Sequence, residues 1–175
     1  MELPEILKYP DPRLRRTARP VEEVTDEIRE RIALMFEAMK DDHGIGLAAP
    51  QIGWDLRLFV MNLSGKPEDD MALINPEIVE RKGRCTMEEG CLSLPGIFAK
   101  VERPKDIVVR AHSLEGEQIE VEANGLVSRC IQHELDHLDG ILFIDRLTPV
   151  RKRSANRKLK KLEDTWREQG ATANA

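Results

Sequence analysis

Apolar positions at Ile28, Ile32, Met35, Phe36 and Met39 follow the i, i+4, i+7, i+8, i+11 spacing of a single helix face. Thr25 stands where an N-cap is needed, and Asp26 and Glu27 fall in the first turn, where the helix dipole favours negative charge. A first helix is therefore predicted over 26–40. Beyond it the pattern shortens. Segments 56–63 (LRLFVMNL), 72–79, 97–101, 107–111 and 118–121 are predicted strands, with Gly- or Pro-containing breaks between several of them. The helical period returns with Leu126, Cys130, His133 and His137 at i, i+4, i+7, i+11, with Asn124 as the expected cap and Gly140 as the stop. Leu159, Leu162 and Trp166 at i, i+3, i+7 predict a last helix over 148–168. The proline-punctuated opening, Pro10 to Pro20, is expected to run extended over the surface. Helix, strands, then helices is the order of an α+β fold, with antiparallel or mixed sheets packed around a central helix, rather than of βαβ repetition. We expect one catalytic domain over 1–147, a C-terminal helix over 148–168 that extends it, and a disordered tail over 169–175.

Composition adds three constraints. Aromatic residues are only 4% of the chain, so the core must be built from Leu, Ile, Val, Met and Ala. The formal net charge of −5 is unevenly distributed: 151–162 (RKRSANRKLKKL) carries seven Lys or Arg and no acid, leaving −12 for the rest. This block reads either as a solvated helix face or as an electrostatic contact for RNA or another polyanion. Neither a membrane nor DNA is expected as a partner. No run approaches the ~18 apolar residues of a membrane span, and the opening MELPEILKYPDP does not have the form of a secretion signal. With three cysteines (Cys85, Cys91, Cys130) and so no complete pairing, a reducing, cytoplasmic setting is expected.

The central helix contains His133-Glu134-Leu135-Asp136-His137, an HExxH pattern. Two histidines one turn apart project to the same side and can share an ion. Glu134 lies about 100° around, able to reach water at that ion without being a ligand. A third ligand must come from elsewhere. Metzincin proteases supply a His three residues past the glycine, but that position is Phe143. Other zincins use a downstream Glu, and Glu163 or Glu168 lies beside the basic block, a poor place for a buried ligand. Cys130 shares the helix stripe but sits about 10.5 Å along the axis from His137, too far to converge with it on one ion. It is expected to line the adjacent pocket. Cys85 and Cys91 can approach from outside the helix, and Gly90 permits a close backbone approach that favours Cys91 modestly. A Cys-His-His set leaves a fourth position for water, which marks a catalytic site, with Glu134 as its base. The side-chain amide of Gln51, at the end of a small-residue loop, and the backbone N–H of Leu92 are candidate donors to a developing oxyanion. That loop lacks the Lys-Ser/Thr ending of a phosphate-binding loop, which argues against nucleotide binding.

Three separated motifs, GIGLAAPQ (44–51), EGCLS (89–93) and QHELDHLDG (132–140), closely resemble the signature blocks of the peptide deformylases in content, order and approximate spacing. The resemblance covers about residues 5–150. It implies removal of the N-formyl group from the initiator methionine of nascent polypeptides, with Cys91, His133 and His137 as ligands, Glu134 as general acid/base, and Gln51 and Leu92 as carbonyl stabilisers. Ligand softness alone suggests Zn²⁺. The resemblance instead implies one divalent ion, typically Fe²⁺, for which Zn²⁺, Ni²⁺ or Co²⁺ substitute. It further implies that Ile45, Gly46 and Gly90 bind an extended substrate backbone, with Ile45, Met87, Leu126, Cys130 and the His133 ring around the methionine side chain. Glu89 and Arg103 are expected to pair. Where some relatives carry an Arg, this chain has Phe98, so preference beyond the methionine is open. The basic helix resembles the tail by which bacterial members contact the ribosome. The alternatives are a metallopeptidase acting on internal peptide bonds and a ribosome-associated protein with a structural ion.

Overall fold

Helix α1 (Asp26–Asp41) starts where expected: Thr25 Oγ1 accepts a hydrogen bond from the Ile28 amide at 3.4 Å. It buries Ile32, Met35, Phe36 and Met39, four of the five positions of the predicted face. The computed structural model describes residues 3–172 and contains three α-helices and seven strands among them. The strands are β1 (Gly46–Ala48), β2 (Leu58–Met61), β3 (Met71–Lys82), β4 (Cys85–Glu89), β5 (Ala99–Arg103), β6 (Asp106–His112) and β7 (Gln118–Asn124). Five of them form one antiparallel sheet in the order β1-β2-β3-β6-β7, and β4 and β5 form a separate antiparallel hairpin.

Strand β3 runs past its predicted end at 79 because Glu80, Arg81 and Lys82 continue the pairing with β6, and it bends on the way. Its register with β6 shifts between Ile74 and Glu77, where Asn75 adopts a positive φ of 51° and Pro76 contributes no backbone N–H. The Asn75 side chain uses this bend to accept from Val21 N and donate to Val21 O, both at 2.8 Å, tying down the N-terminal segment. Within that segment, Pro12–Arg15 forms a short 3-10 turn.

Helix α2 (Gly125–Leu138) lies at the centre, with nine of its fourteen residues buried. Asn124 precedes it as predicted but makes no side-chain cap bond. Ala48, Phe59, Leu73, Val109 and Ile131 fill the core between this helix and the large sheet. Helix α3 (Pro149–Thr172) docks Ala155 and Leu159 against Leu94, Ile97, Val101 and Phe143. Its apolar contact therefore runs through Ala155, Leu159 and Leu162, and Trp166, expected to continue it, is largely exposed. The helix continues to Thr172, past the predicted end at 168, so 169–172 are helical; 173–175 of the expected tail lie outside the described residues.

Two further departures concern the site. The small-residue loop after α1 contains β1 followed by a 3-10 turn (Ala49–Ile52), too short to give a periodic signal. The predicted strand 97–101 is displaced to β5, and its partner β4 has no counterpart in the predicted elements. The alternation of Thr86, Glu88 and Glu102 with inward residues is polar enough to read as a loop.

Candidate metal centre

His133 and His137 project from one side of α2, and the turn that follows β4 carries Cys91 to them. Donor atoms of Cys91, His133 and His137 all lie within 4.8 Å of one another. Cys91 Sγ is 3.3 Å from His137 Nε2, close to the ~3.5 Å edge of a tetrahedron built on metal–ligand distances of 2.0–2.3 Å. The donor set therefore fits a single ion. A second contact orients one of the two rings. His133 Nδ1 donates to Glu89 Oε2 at 3.0 Å, which leaves Nε2 for the ion, as outer carboxylates do in metal sites. Phe143, at the position where a metzincin would place histidine, stacks on the His133 ring at 6.0 Å between centroids.

Electrostatics differ between the two imidazoles. For His133, burial disfavours charge, but hydrogen bonds to Cys91 and Glu89 outweigh it and raise the pKa well above the usual imidazole value. Burial, reinforced by the neighbouring His133 charge, holds His137 well below that value. Its Nδ1 is buried without a hydrogen-bond partner. Cys130 is not one of the clustered donors: its thiol donates to Ile45 O at 3.6 Å, and burial pushes its pKa well up. Cys85 lies on β4 with its carbonyl bonded to Arg129. Glu163, weighed as a ligand from sequence, accepts a hydrogen bond from the Tyr9 hydroxyl instead.

Glu134 is buried beside the cluster, and burial raises its carboxyl to about 7. Its Oε2 has no hydrogen-bond partner, and a Cβ at Gly46 would strike its Oε1. Glycine at 46 is thus what lets β1 approach the carboxylate. Gln51 is also buried, and its orientation is set by three contacts: Oε1 accepts from Ala48 N at 2.8 Å, while Nε2 donates to Ser93 Oγ at 3.1 Å and lies 3.6 Å from Cys91 Sγ. The amide expected to stabilise a carbonyl oxygen therefore points at the cluster.

A cavity of about 550 Å³ opens in front of these groups. Ile45, Gly46, Gly90, Leu92, Leu126, Cys130 and His133 line it, together with Phe98 and Arg129. Met87 does not reach its wall. It shares the inward face of β4 with Glu89 but lies two residues farther along the strand, half-buried opposite Val101.

The pair Glu89–Arg103 is part of a larger buried network that sequence reasoning missed. Arg103 donates to Glu89 at 2.6 Å and to Asp136 at 2.8 Å, Arg129 donates to Glu89 at 2.5 Å, and Arg146 donates to Asp136 at 2.6 Å. A signal was present: Arg129, Gln132 and Asp136 recur at i, i+3, i+7, a second, polar stripe along α2. Burial alone would raise the Glu89 carboxyl, but hydrogen bonds from His133 and Arg103 and the Arg103 charge hold it far below the usual range. A depressed carboxyl contributes stability above its unfolded pKa, roughly 4.3, and loses it as pH falls further. Arg103→Ala should therefore destabilise by about 3–5 kcal/mol, as expected when one partner of a buried pair is removed. Urea denaturation at neutral pH reads the loss, and the difference from wild type should shrink below pH ~4.

A soft three-ligand cluster with an adjacent carboxylate base and an open substrate cavity defines a metal-dependent hydrolase. The model of the family "Polypeptide deformylase" matches residues 3–153. Peptide deformylase from Hydrogenovibrio crunogenus is 50% identical over 161 residues, covering 92% of this chain and 95% of that one. The Acinetobacter baumannii peptide deformylase is 48% identical over 163 residues, 93% of each chain. Among solved structures, the Legionella pneumophila peptide deformylase superposes with a TM-score of 0.88 at 42% identity, covering 94% of this chain and 98% of that one. The chain belongs to the polypeptide deformylase family.

Proposed function

We propose that this chain removes the N-formyl group from formylmethionine at the start of nascent polypeptides through the Cys91-His133-His137 centre, with Glu134 as its general acid/base. The observation that carries this reading is that the metal cluster, the buried Glu134 and the unpaired edge of β1 all face one cavity. A divalent ion held by Cys91, His133 and His137 supplies a Lewis acid that polarises a carbonyl and lowers the pKa of water. Fe²⁺ is the proposed native ion, with Zn²⁺, Ni²⁺ or Co²⁺ as substitutes.

The residues of the chain divide the remaining work. Strand β1 is paired with β2 on one side only, so Ile45 and Gly46 offer backbone groups to an added peptide strand, with Gly90 opposite them across the cavity. The methionine side chain enters between Ile45, Leu126, Cys130 and the His133 ring. Gln51 Nε2 and the Leu92 N–H donate to the formyl oxygen as charge develops on it. Glu134 takes a proton from the attacking water and returns it to the leaving amine, so that formate and a free α-amino group result. Formate release from formyl-Met-Ala-Ser, with no cleavage of the unformylated peptide, tests the reading. Cleavage of internal bonds without formate release would make the enzyme a metallopeptidase.

The setting is cytoplasmic, where nascent chains are made, and the basic helix supports a ribosome contact. Among the described residues no helix is long and apolar enough to cross a membrane. Lys152, Arg153, Arg157, Lys160 and Lys161 are all exposed on α3, an arrangement suited to a phosphate backbone. Replacing these five by Gln should lower ribosome affinity at least about tenfold and flatten its salt dependence, since each phosphate contact adds to the salt slope. Unchanged affinity in co-sedimentation would rule the contact out. Substitution is preferable to deletion because Ala155 and Leu159 of the same helix are buried in the core.

A further inference from the structure

A second groove of about 310 Å³ lies between β5 and α3, lined by Ile97, Phe98, Ala99 and Lys100 on one side and Arg151, Ser154, Ala155 and Lys158 on the other. We infer that this groove is a second peptide subsite, which holds the substrate chain beyond its third residue and favours acidic side chains there. The inference rests on the deformylase reading and extends it to the length and charge of the substrate.

Continuity with the active site is the first argument. Phe98 lines both the metal-site cavity and this groove. It is 64% exposed, yet its ring lies so close to Gly90 that a Cβ there would come within 2.5 Å of it. A peptide backbone held at Gly90 therefore passes directly over Phe98, and beyond Phe98 the groove is the continuing concave surface.

Charge supplies the second argument. The metal-site cavity mixes Asp42, Glu88, Glu89 and Glu134 with only two permanent cations, Lys8 and Arg129. The groove lining has three cations, Lys100, Arg151 and Lys158, and no acid. Arg151 and Lys158 are i and i+7 on α3, so they share the face turned toward β5. Two of the seven cations of the basic block are thus directed at the groove rather than at the free helix surface.

These two cations are also fixed in place. Lys158 Nζ donates to Gly96 O at 2.8 Å and Arg151 Nη1 donates to Lys100 O at 3.0 Å, bracketing Phe98 from both ends. An ammonium has three donors and a guanidinium five, so each retains N–H groups for a carboxylate. Holding the side chains beforehand reduces the entropy lost when a ligand binds. Exposed Phe98, with Ile97 and Ala155 buried beneath it, supplies an apolar surface between the charges, which suits a peptide with alternating contacts better than a bare phosphate chain.

The test compares kcat/KM for formate release at low ionic strength from formyl-Met-Ala-Ser-Asp-Glu-Ala and formyl-Met-Ala-Ser-Lys-Arg-Ala. Formyl-Met-Ala-Ser serves as the short reference. The acidic hexapeptide should exceed the basic one by roughly threefold to tenfold, the range expected for two partly exposed ion pairs. The gap should close at high salt and invert in the Arg151→Glu/Lys158→Glu double variant. Lys100→Gln, whose side chain is not one of those bracketing Phe98, should narrow the gap even where the double variant does not fold. Equal kcat/KM for the two hexapeptides in the wild type would overturn the proposal, as would a preference that charge reversal leaves unmoved. Weakened binding of single-stranded RNA with no change in peptide preference would also overturn it, marking the groove as a polyanion contact. Failure to release formate from the tripeptide would overturn the deformylase reading instead.

Discussion

Replacing Glu134 by Gln is expected to lower kcat for formate release by about 10²–10⁴-fold, the contribution typical of a positioned general acid/base. Metal content and KM should stay near wild type, because Glu134 is neither one of the three clustered donors nor part of the expected peptide-binding edge. The size of the effect follows from the setting of the side chain. Glu134 is 4% exposed, with one carboxylate oxygen lacking any hydrogen-bond partner and the other against Gly46. Bulk water therefore cannot easily replace it as a proton acceptor. Gly46→Ala should reproduce much of the loss with Glu134 intact, since the added methyl must displace the carboxylate. Wild-type turnover in Glu134→Gln would show that the proton passes elsewhere.

Cys91→Ala should lose the metal, whereas Cys85→Ala should keep it. The mutated position is one of only three clustered donors, so affinity should fall by more than the about 10–100-fold typical of an outer-shell change. Metal analysis after anaerobic gel filtration checks this, with formate release measured on the same samples. Cys130→Ser offers a third comparison: its thiol contacts Ile45 O and lines the pocket, so metal should remain while KM for the formyl-methionyl peptide rises. Metal retained at wild-type level in Cys91→Ala would mean that the third ligand is another residue.

Much of this site could be read from the chain because its parts are local. His133, Glu134 and His137 lie on one helix, and 3.6-residue periodicity fixes their relative directions wherever the helix packs. The Glu89–Arg103 pair was anticipated, but its extension to Asp136, Arg129 and Arg146 was not, since these links join residues 10 to 40 positions apart on β4, β5, α2 and the segment after it. Met87 was placed at the pocket by the resemblance, which carries over a position but not how far along its strand that position lies from the cavity wall. Hairpin β4–β5 was half missed because its outward residues are polar or charged and each inward face ends in a charged residue, Glu89 or Arg103. Burial at Glu89 and Arg103 is satisfied by ion pairing, which cuts the hydrophobic alternation to two residues on each strand.

By itself, the sequence determined the α+β class, the central helix with its two histidines and carboxylate, and the chemistry available to three motifs. Each depends on short-range geometry or on residue type, and neither changes with packing. Only the tertiary structure decided that Cys91, rather than Cys85 or Cys130, meets the histidines, that β1 presents an open edge beside Glu134, and that Phe98 joins the metal-site cavity to a cationic groove. These depend on how the hairpin packs beside α2 and how α3 docks on β5, a matter of long-range packing that no local spacing encodes. The QHELDHLDG helix supplies two of the clustered donors and the buried Glu134; the fold supplies Cys91 and the cavity beside them.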